Sequence, residues 1–176
     1  DDNKKNSISE NQIENFKFDA IIISPGIDIN KCKLSKFLRK NLKIIYTDLD
    51  VFFSFNSNRC ITITGTNGKS TTCKLLYEIF KKQKIDVKLG GNIGKPILSI
   101  RNFNKKTIFI IEASSYQLEY SKLFKSKYAA ILNISPDHLE RHKTIQKYVS
   151  AKFKLINNQT KNSLSFINKN DALLMS

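Results

Sequence analysis

A short glycine-rich loop carries the first residues in this sequence whose types and spacing could do chemistry. The loop is Gly65-Thr66-Asn67-Gly68-Lys69-Ser70-Thr71; it follows the β-branched run Ile61–Thr64 and precedes a helical pattern of apolar residues. Glycines at such a junction let backbone N–H groups close on phosphate oxygens, and the N-terminus of the following helix adds partial positive charge. Lys69 is predicted to reach the terminal phosphates, and Ser70 or Thr71 to offer an oxygen to Mg²⁺.

The loop departs from the strict P-loop pattern. That pattern has four residues between its glycines, whereas Gly65 and Gly68 enclose only two. The alternative interpretation is a strand-to-helix turn whose glycines serve sharp geometry alone. The strand before the loop and the helix after it favour phosphate binding.

An acidic residue, Glu112, directly follows the apolar run Thr107–Ile111. A carboxylate at the end of a buried strand and beside a phosphate loop is well placed to hold Mg²⁺, which prefers oxygen ligands. A solvated acid at a strand end is the alternative. The neighbouring loop favours the metal ligand.

The two histidines of the chain, His138 and His142, are four residues apart. This spacing could place both on one helix face as a zinc pair. The zinc-protease arrangement has Glu directly after the first His, and Leu139 stands there instead, so a zinc site is not expected. We predict that His138 faces the crevice at a strand-to-helix junction and that His142 lies on the surface.

Strands and helices alternate along the chain, which predicts an α/β fold with a mainly parallel sheet. Its P-loop-like ATPase domain is expected to follow part of a Rossmann-like domain. A helix start is assigned to Asp48 as the cap. The predicted strands cover residues 18–24, 42–46, 61–64, 87–89, 107–111, 128–134 and 163–168.

Polar residues cluster where four of these strands end. In open parallel sheets, ligands bind outside the carboxyl ends of the strands, so the clusters should converge on one crevice. They are Gly65–Thr71, Gly90–Gly94, Glu112–Ser115 and Asn133–His138.

Composition excludes several classes of protein. The 176 residues are 40% hydrophobic, enough for a core, but no apolar run approaches the length of a membrane span. No signal peptide is visible, and three cysteines without metal spacing indicate reduced thiols in a cytoplasmic protein. The net charge of +15 raises nucleic-acid binding as an alternative, but only four of the 30 basic residues are arginines and the lysines are spread along the chain. We therefore expect neither a nucleic-acid nor a membrane partner.

Four motifs, in order, resemble those of the Mur ligases. They are the glycine loop, Gly90-Gly91-Asn92-Ile93-Gly94, Glu112-Ala113-Ser114-Ser115-Tyr116-Gln117-Leu118-Glu119 and the segment Asn133–His142. The third motif and the turn Ser24-Pro25-Gly26-Ile27 are similar to the D-glutamate-adding branch of the family. The resemblance implies three domains, of which residues 1–47 match the later part of the first and residues 48–176 a large part of the central ATP-binding domain.

The resemblance implies an ATP- and Mg²⁺-dependent amide ligase in peptidoglycan precursor synthesis. Its substrates would be UDP-N-acetylmuramoyl-L-alanine and D-glutamate, and a monomer is expected. The substrate carboxylate would attack the γ-phosphate to give an acyl phosphate, from which the amine of D-glutamate would displace phosphate. Transfer of the phosphoryl group from ATP needs positioning and charge neutralisation more than covalent chemistry.

Site residues follow from the same resemblance. Lys69 would neutralise the phosphates, and Ser70 or Thr71 would hold one Mg²⁺ together with Glu112. His138 would help to bind a second Mg²⁺, together with Lys152 carrying a carbamate on a partly desolvated amine. The remaining predicted positions contact the UDP-linked substrate or line the crevice wall: Asn92, Ser24, Pro25, Gly26, Ser114 and Ser115.

Two further interpretations remain open beside nucleic-acid binding. One is a ligase of the same mechanism, such as a folylpolyglutamate synthase, which shares the glycine loop; the stretch Ser114–Glu119 argues against it. The other is a nucleotide-binding module without catalysis, because a missing third domain would supply amino-acid contacts and close the site.

Overall fold

The computed structural model describes residues 12–175, which form an α/β fold with two parallel sheets. The strands are β1 (Ile21–Ile22), β2 (Ile45–Tyr46), β3 (Cys60–Thr64), β4 (Val87–Gly91), β5 (Ile108–Glu112), β6 (Tyr128–Ile131) and β7 (Leu164–Ile167). The helices are α1 (Ser35–Lys40), α2 (Asp48–Phe55), α3 (Lys69–Lys82), α4 (Ser115–Tyr120), α5 (Leu139–His142), α6 (Ile145–Asn157) and α7 (Ala172–Met175). Short 3₁₀ turns cover Ile13–Asn15, Leu42–Ile44 and Ile97–Ser99.

The larger sheet has the order β4-β5-β3-β6-β7, and all its strand pairs are parallel. β3 lies at its centre, with β5 on one side and β6 on the other. The carboxyl ends of β3, β5 and β6 therefore lie side by side at one edge of the sheet. This order brings the glycine loop next to the segments that follow β5 and β6. The predicted mainly parallel α/β fold is confirmed.

Alternate residues of the central strands pack against helices on opposite faces of the sheet. Ile63 and Ile110 share one cluster with Cys73 of α3. Phe109 and Ile111 point the other way, into the cluster that contains Leu155 of α6. Because both faces are covered, the strand interiors are apolar without alternation, which explains the near-continuous apolar run of β5.

The small sheet β1-β2 belongs to a separate core with α1, which contains Ile23, Phe37 and Ile45. The predicted strands over residues 18–24 and 42–46 were too long, since each contributes only two residues and Leu42–Ile44 forms a 3₁₀ turn. Within the described chain, β1 and β2 pair only with each other, over two residues, so neither strand is extended by a further partner.

The start of α2 differs from the prediction that Asp48 is its cap. Thr47 is the N-cap, and its N–H and hydroxyl donate to Asp50 Oδ2 at 3.0 and 3.3 Å in a capping box. The other oxygen of Asp50 accepts hydrogen bonds from the backbone of residues 122–124 and from Ser121 Oγ. The cap therefore also fastens α2 to the loop after α4.

The proposed boundary between residues 47 and 48 stays a prediction, and residues 1–11 of the predicted N-terminal piece lie outside the described residues. Among the described residues, no helix is both long and apolar enough to cross a membrane.

Candidate functional site

The glycine loop connects the end of β3 to the start of α3, as the sequence predicts. Gly65 has φ +147° and Gly68 has φ +80°, conformations that residues with a Cβ rarely adopt. A Cβ on Gly65 would also lie 3.2 Å from the Cβ of Leu132 and 3.3 Å from the N atom of Asn133. Glycine at position 65 therefore allows both the turn and the close approach of β6.

The loop is held in place by the segment that follows β6. The N–H groups of Thr66 and Asn67 donate to the backbone and side-chain oxygens of Asn133, at 2.9 and 2.8 Å. Thr66 Oγ1 accepts from the N–H of Ser135 at 3.0 Å and lies 3.1 Å from the hydroxyl of Tyr148. The loop is thus fixed in shape without a ligand. Asn133 cannot continue the ladder of β6 because it serves the loop, which is why β6 ends before the predicted residue 134.

Lys69 is the first residue of α3, and its ammonium folds back onto the loop. Nζ donates to the carbonyl oxygen of Thr66 at 2.7 Å, and the side chain is half-buried. A cation is therefore held against the glycine loop at a helix N-terminus. This arrangement suits an anionic ligand.

Glu112, at the end of β5, is 2% exposed and accepts hydrogen bonds with both carboxylate oxygens. Ser70 Oγ donates to Oε2 at 2.7 Å, and Asn92 Nδ2 donates to Oε1 at 2.8 Å. Ser70, and not the exposed Thr71, is the loop hydroxyl that contacts this acid.

The pair Ser70–Glu112 fits a magnesium ion. It combines a hydroxyl and a carboxylate, both hard oxygen donors. Within residues 12–175, no group of three or more His, Cys, Asp or Glu side chains is arranged to hold a metal. An ion here would complete its shell with water and phosphate oxygens, which is the usual way Mg²⁺ binds beside nucleotides.

Lys152 of α6 is buried beside the loop, with 1% of its surface exposed. Its Nζ donates to the carbonyl oxygen of Gly65 at 2.8 Å and lies 4.6 Å from the centre of the Tyr148 ring. Burial, reinforced by the charge of Lys69, lowers the pKa of Lys152 to about 7. Near neutral pH, a substantial fraction of this amine is uncharged.

His138 lies at the N-cap of α5 in the left-handed conformation, with φ +52° and a half-exposed side chain. Its ring centre is 5.0 Å from that of Tyr116 and 6.3 Å from that of Tyr148. Lys152 therefore contacts the same tyrosine ring as His138. The structure thereby brings His138, Lys152 and the glycine loop together around Tyr148.

The prediction that His142 lies on the surface was wrong. His142 is 3% exposed, and its Nε2 lies 3.0 Å from Ser115 Oγ. Burial lowers its pKa, which favours the neutral ring. His142 is buried because the turn that carries it packs on α4, where Ser115 is its partner.

The two predicted crevice serines have structural partners. Ser114 caps α4 and exchanges hydrogen bonds with Gln117, whose N–H donates to Ser114 Oγ at 3.2 Å. Ser115 is 2% exposed and pairs with His142. Their contact with substrate stays a prediction.

The turn Ser24-Pro25-Gly26 follows β1 and is closed by the hydrogen bond from Ile27 N–H to Ser24 O, at 3.0 Å. In the described part of the chain, no hydrogen bond joins this turn to the glycine loop. Its contact with a UDP group also stays a prediction.

Sequence reasoning missed two residues that shape the site. Tyr148 has no sequence signal beyond its place among the apolar positions of a helix, yet its hydroxyl lies 3.1 Å from Thr66 Oγ1. Asn133 was quoted within a motif without a role, although it orients two loop N–H groups. An Asn directly after an apolar strand was the one available signal for the second.

The chain matches the family model described as the Mur ligase middle domain over residues 63–176. It is 44% identical over 140 residues to a UDP-N-acetylmuramoylalanine–D-glutamate ligase from Caldicellulosiruptor bescii, covering 78% of this chain and 30% of that relative. The ligase of the same name from Clostridioides difficile is 38% identical over 160 residues, covering 90% of this chain and 35% of the relative. The chain therefore spans about a third of the length of these curated relatives.

Solved structures of similar fold are also Mur ligases. One is the UDP-N-acetylmuramate:L-alanyl-γ-D-glutamyl-meso-diaminopimelate ligase from Neisseria meningitides, with a TM-score of 0.61, 16% identity and coverage of 94% of this chain and 56% of that one. Another is the MurF ligase from Thermotoga maritima in complex with ADP, with a TM-score of 0.58, 21% identity and coverage of 82% and 43%. At these identities, they support the fold alone. The family model and the curated relatives together show that this chain belongs to the Mur ligase family, and the match to the middle domain begins at Ile63, within β3.

Proposed function

We propose that this chain carries the ATP-binding part of a ligase that joins D-glutamate to UDP-N-acetylmuramoyl-L-alanine. The observation that carries the proposal is the 2.7 Å hydrogen bond from Ser70, a residue of the glycine loop, to the buried Glu112. The names of the curated relatives support the substrates. We further propose that the ligase is a monomer and that it acts in the cytoplasm, in the synthesis of peptidoglycan precursors.

In this proposal the loop binds the phosphates of ATP. The N-terminus of α3 faces the ligand, while Lys69 exchanges its contact with Thr66 O for a phosphate oxygen. The N–H groups of Thr66 and Asn67 already donate to Asn133, which fixes the shape of the loop, so little reorganisation is needed. Positioning and charge neutralisation are the main requirements of phosphoryl transfer.

Ser70 and Glu112 would hold Mg²⁺ beside these phosphates. Bound there, the ion would neutralise charge on the transferring phosphoryl group. Asn92 orients Glu112 through its side-chain amide and is the group proposed to contact the UDP-linked substrate. Ser24, Pro25, Gly26, Ser114 and Ser115 are the further proposed substrate positions.

His138 and Lys152 are proposed to serve a second Mg²⁺. The uncharged amine of Lys152 attacks the carbon of CO₂. A C–N bond forms, the π bond of one C=O group breaks to give a carbamate anion, and the nitrogen releases one proton. The side chain thereby becomes an anion, which would attract a divalent ion that the protonated form, an ammonium, repels. The burial of Lys152 and its lowered pKa support this step.

The reaction proposed for the complete ligase has two steps. The carboxylate of UDP-N-acetylmuramoyl-L-alanine attacks the γ-phosphorus of ATP, giving an acyl phosphate and ADP. The amine of D-glutamate then attacks the acyl carbon, an amide bond forms and phosphate leaves. The chain's own contribution is to bind, orient and neutralise the phosphates.

Nucleotide binding without turnover is the second candidate for the 176-residue chain. The half-exposed side chain of His138 favours it, because this part of the site is open to water. Amide formation needs exclusion of water from the acyl phosphate.

Calorimetric titration with Mg²⁺–ATP tests the site. We expect Lys69→Ala to weaken binding at least about tenfold, because the phosphates lose their cation. Lys82→Ala, at the exposed end of the same helix, is the matched control and should bind like the parent chain. Equal affinity of the Lys69→Ala variant would overturn the assignment.

Substrate choice is tested separately by product analysis. The chain is incubated with Mg²⁺–ATP, UDP-N-acetylmuramoyl-L-alanine and radiolabelled D-glutamate, and in parallel with a reduced folate and L-glutamate. A radiolabelled UDP-linked product supports the ligase. ATP binding without any amide product supports the second candidate, and a folate product contradicts the proposed substrates.

A further inference from the structure

A cavity of about 210 Å³ lies where α4, α5 and α6 meet, and its lining shares no residue with the glycine loop. Its walls include four basic residues, Arg141, Lys143, Lys147 and Lys154, against one acidic residue, Glu119. A cavity of this charge is suited to an anion. The proposed ligase chemistry leaves it without a role.

Arg141 is the buried cation of this cavity, with only 6% of its side chain exposed. Its Nε donates to Glu119 Oε2 at 3.1 Å, and the guanidinium stacks on the ring of Tyr116, 4.9 Å from its centre. The Nη2 atom is buried and has no hydrogen-bond partner within the described chain. A guanidinium has five N–H donors, and a buried donor without an acceptor is unfavourable.

Within the described chain, Glu119 accepts a hydrogen bond from only one nitrogen of Arg141. Its Oε2 is engaged by Arg141 Nε, and its Oε1 accepts from the hydroxyl of Tyr120 at 3.1 Å. Lys154 donates to the backbone oxygen of Glu119 and so does not compete for the carboxylate. The acid therefore fixes the orientation of Arg141, and Nη2 of the guanidinium stays without a partner within the described chain.

The size of the cavity limits what it can hold. A water molecule occupies about 30 Å³ in the liquid, and drug-sized ligands fill pockets of about 300 Å³ or more. The volume of about 210 Å³ lies below that range and accommodates a small anion with a few waters. The fork of donors on a guanidinium matches two oxygens of one phosphate or carboxylate group.

We propose that this cavity binds a small oxyanion, such as inorganic phosphate or a short dicarboxylate, with Arg141 as the buried anchor. The exposed ammonium groups of Lys143 and Lys147 complete the charge at the rim. The two candidate ligands share the chemistry that the site recognises, an anion that presents two oxygens of one group to the guanidinium. Separate titrations distinguish them.

Site-resolved NMR of the chain tests the proposal, because phosphate can also bind the glycine loop. Phosphate and succinate are titrated separately at constant ionic strength while the Arg141 side chain and the amides of residues 141–147 are followed. The amides of Gly65 and Gly68 report the loop. We expect saturable chemical-shift changes around Arg141 with either anion. The anion that binds with the higher affinity identifies the ligand class.

Lysine variants avoid the risk that removing Arg141 unfolds the chain. Lys143→Gln combined with Lys147→Gln should weaken anion binding at Arg141 roughly fivefold, because two nearby charges are lost. Lys105→Gln combined with Lys106→Gln changes the net charge equally at exposed positions that do not line the cavity, and should bind like the parent. Shifts confined to the loop amides, no saturation at Arg141, or equal affinity in both double variants would overturn the proposal.

Discussion

The Nζ atom of Lys152 lies 2.8 Å from the carbonyl oxygen of Gly65, so a buried lysine of α6 contacts the first residue of the glycine loop. Hydrogen bonding to this carbonyl favours the ammonium, whereas burial favours the neutral amine. Burial dominates, since the pKa falls from 10.5 to about 7. The charge of this residue therefore changes close to neutral pH, beside the phosphate-binding loop.

Lys152 should make folding stability depend on pH. The unfolded chain holds this proton up to pH 10.5, whereas the folded chain loses it above about pH 7. Between these values the unfolded state binds more protons, so the contribution of Lys152 to stability rises with pH, by at most about 1.4 kcal/mol per pH unit. Below about pH 7, the full cost of burying the charge is present.

Urea unfolding of the parent and of Lys152→Met, in buffers depleted of CO₂, measures this effect. The variant should be more stable than the parent under mildly acidic conditions. The difference in the free energy of unfolding should shrink as the pH is raised from about 7 to 10.5. Stability curves that stay parallel across that window would contradict the burial of a neutral amine.

Carbamate formation on Lys152 gives a second prediction. After addition of ¹³C-labelled bicarbonate near neutral pH, the parent chain should show a protein-bound carbonyl signal in the ¹³C spectrum. Lys152→Ala should lack the signal. Lys161→Ala, which removes an exposed lysine, should retain it. A signal that survives in Lys152→Ala would assign the modification elsewhere and contradict the proposal.

Glu112→Gln tests the magnesium ligand while keeping the shape of the side chain. The contact with Ser70 can persist, but the negative charge that attracts the ion is lost. We expect ATP affinity in the presence of Mg²⁺ to fall about tenfold, which corresponds to about 1.4 kcal/mol. Affinity measured with EDTA should stay the same or improve.

The control for this variant is Glu78→Gln, which removes an exposed acid of α3. It should leave both affinities unchanged. Equal losses for Glu112→Gln with Mg²⁺ and with EDTA would show a structural defect in place of a lost metal ligand.

Gly65→Ala should destabilise the fold. The residue has φ +147°, and the new Cβ would approach Leu132 to 3.2 Å, so both backbone strain and crowding oppose the change. A loss of about 1–3 kcal/mol in the free energy of unfolding is expected. Chemical denaturation measures it.

Gly26→Ala is the matched control, because no atom lies within 4 Å of the point that its new Cβ would occupy and its φ is not in the left-handed range. Its stability should stay within about 0.5 kcal/mol of the parent or rise slightly. If both alanine variants lose the same stability, the special geometry of Gly65 is not the cause.

Local patterns in the sequence determined the main features of the fold and pointed to the glycine loop. Apolar runs predicted the strands of the larger sheet, although the residues of β7 are exposed, and the alternation with helices predicted their parallel arrangement. The positions of Gly65, Lys69 and Glu112 at element ends followed from the same patterns. These features depend on residues near each other in the chain, so sequence reasoning can reach them.

Tertiary structure alone decided which polar groups meet. Ser70 contacts Glu112 across 42 positions of sequence, and Lys152 contacts Gly65 across 87. Neither contact has a local signal; both arise because β5 and β6 flank β3 in the sheet and α6 packs on one of its faces. The same packing buried His142, which the sequence analysis expected on the surface. The sequence by itself determined the elements and their chemistry, whereas only the folded chain decided the pairing, burial and charge state of side chains, because these depend on neighbours that are distant in sequence.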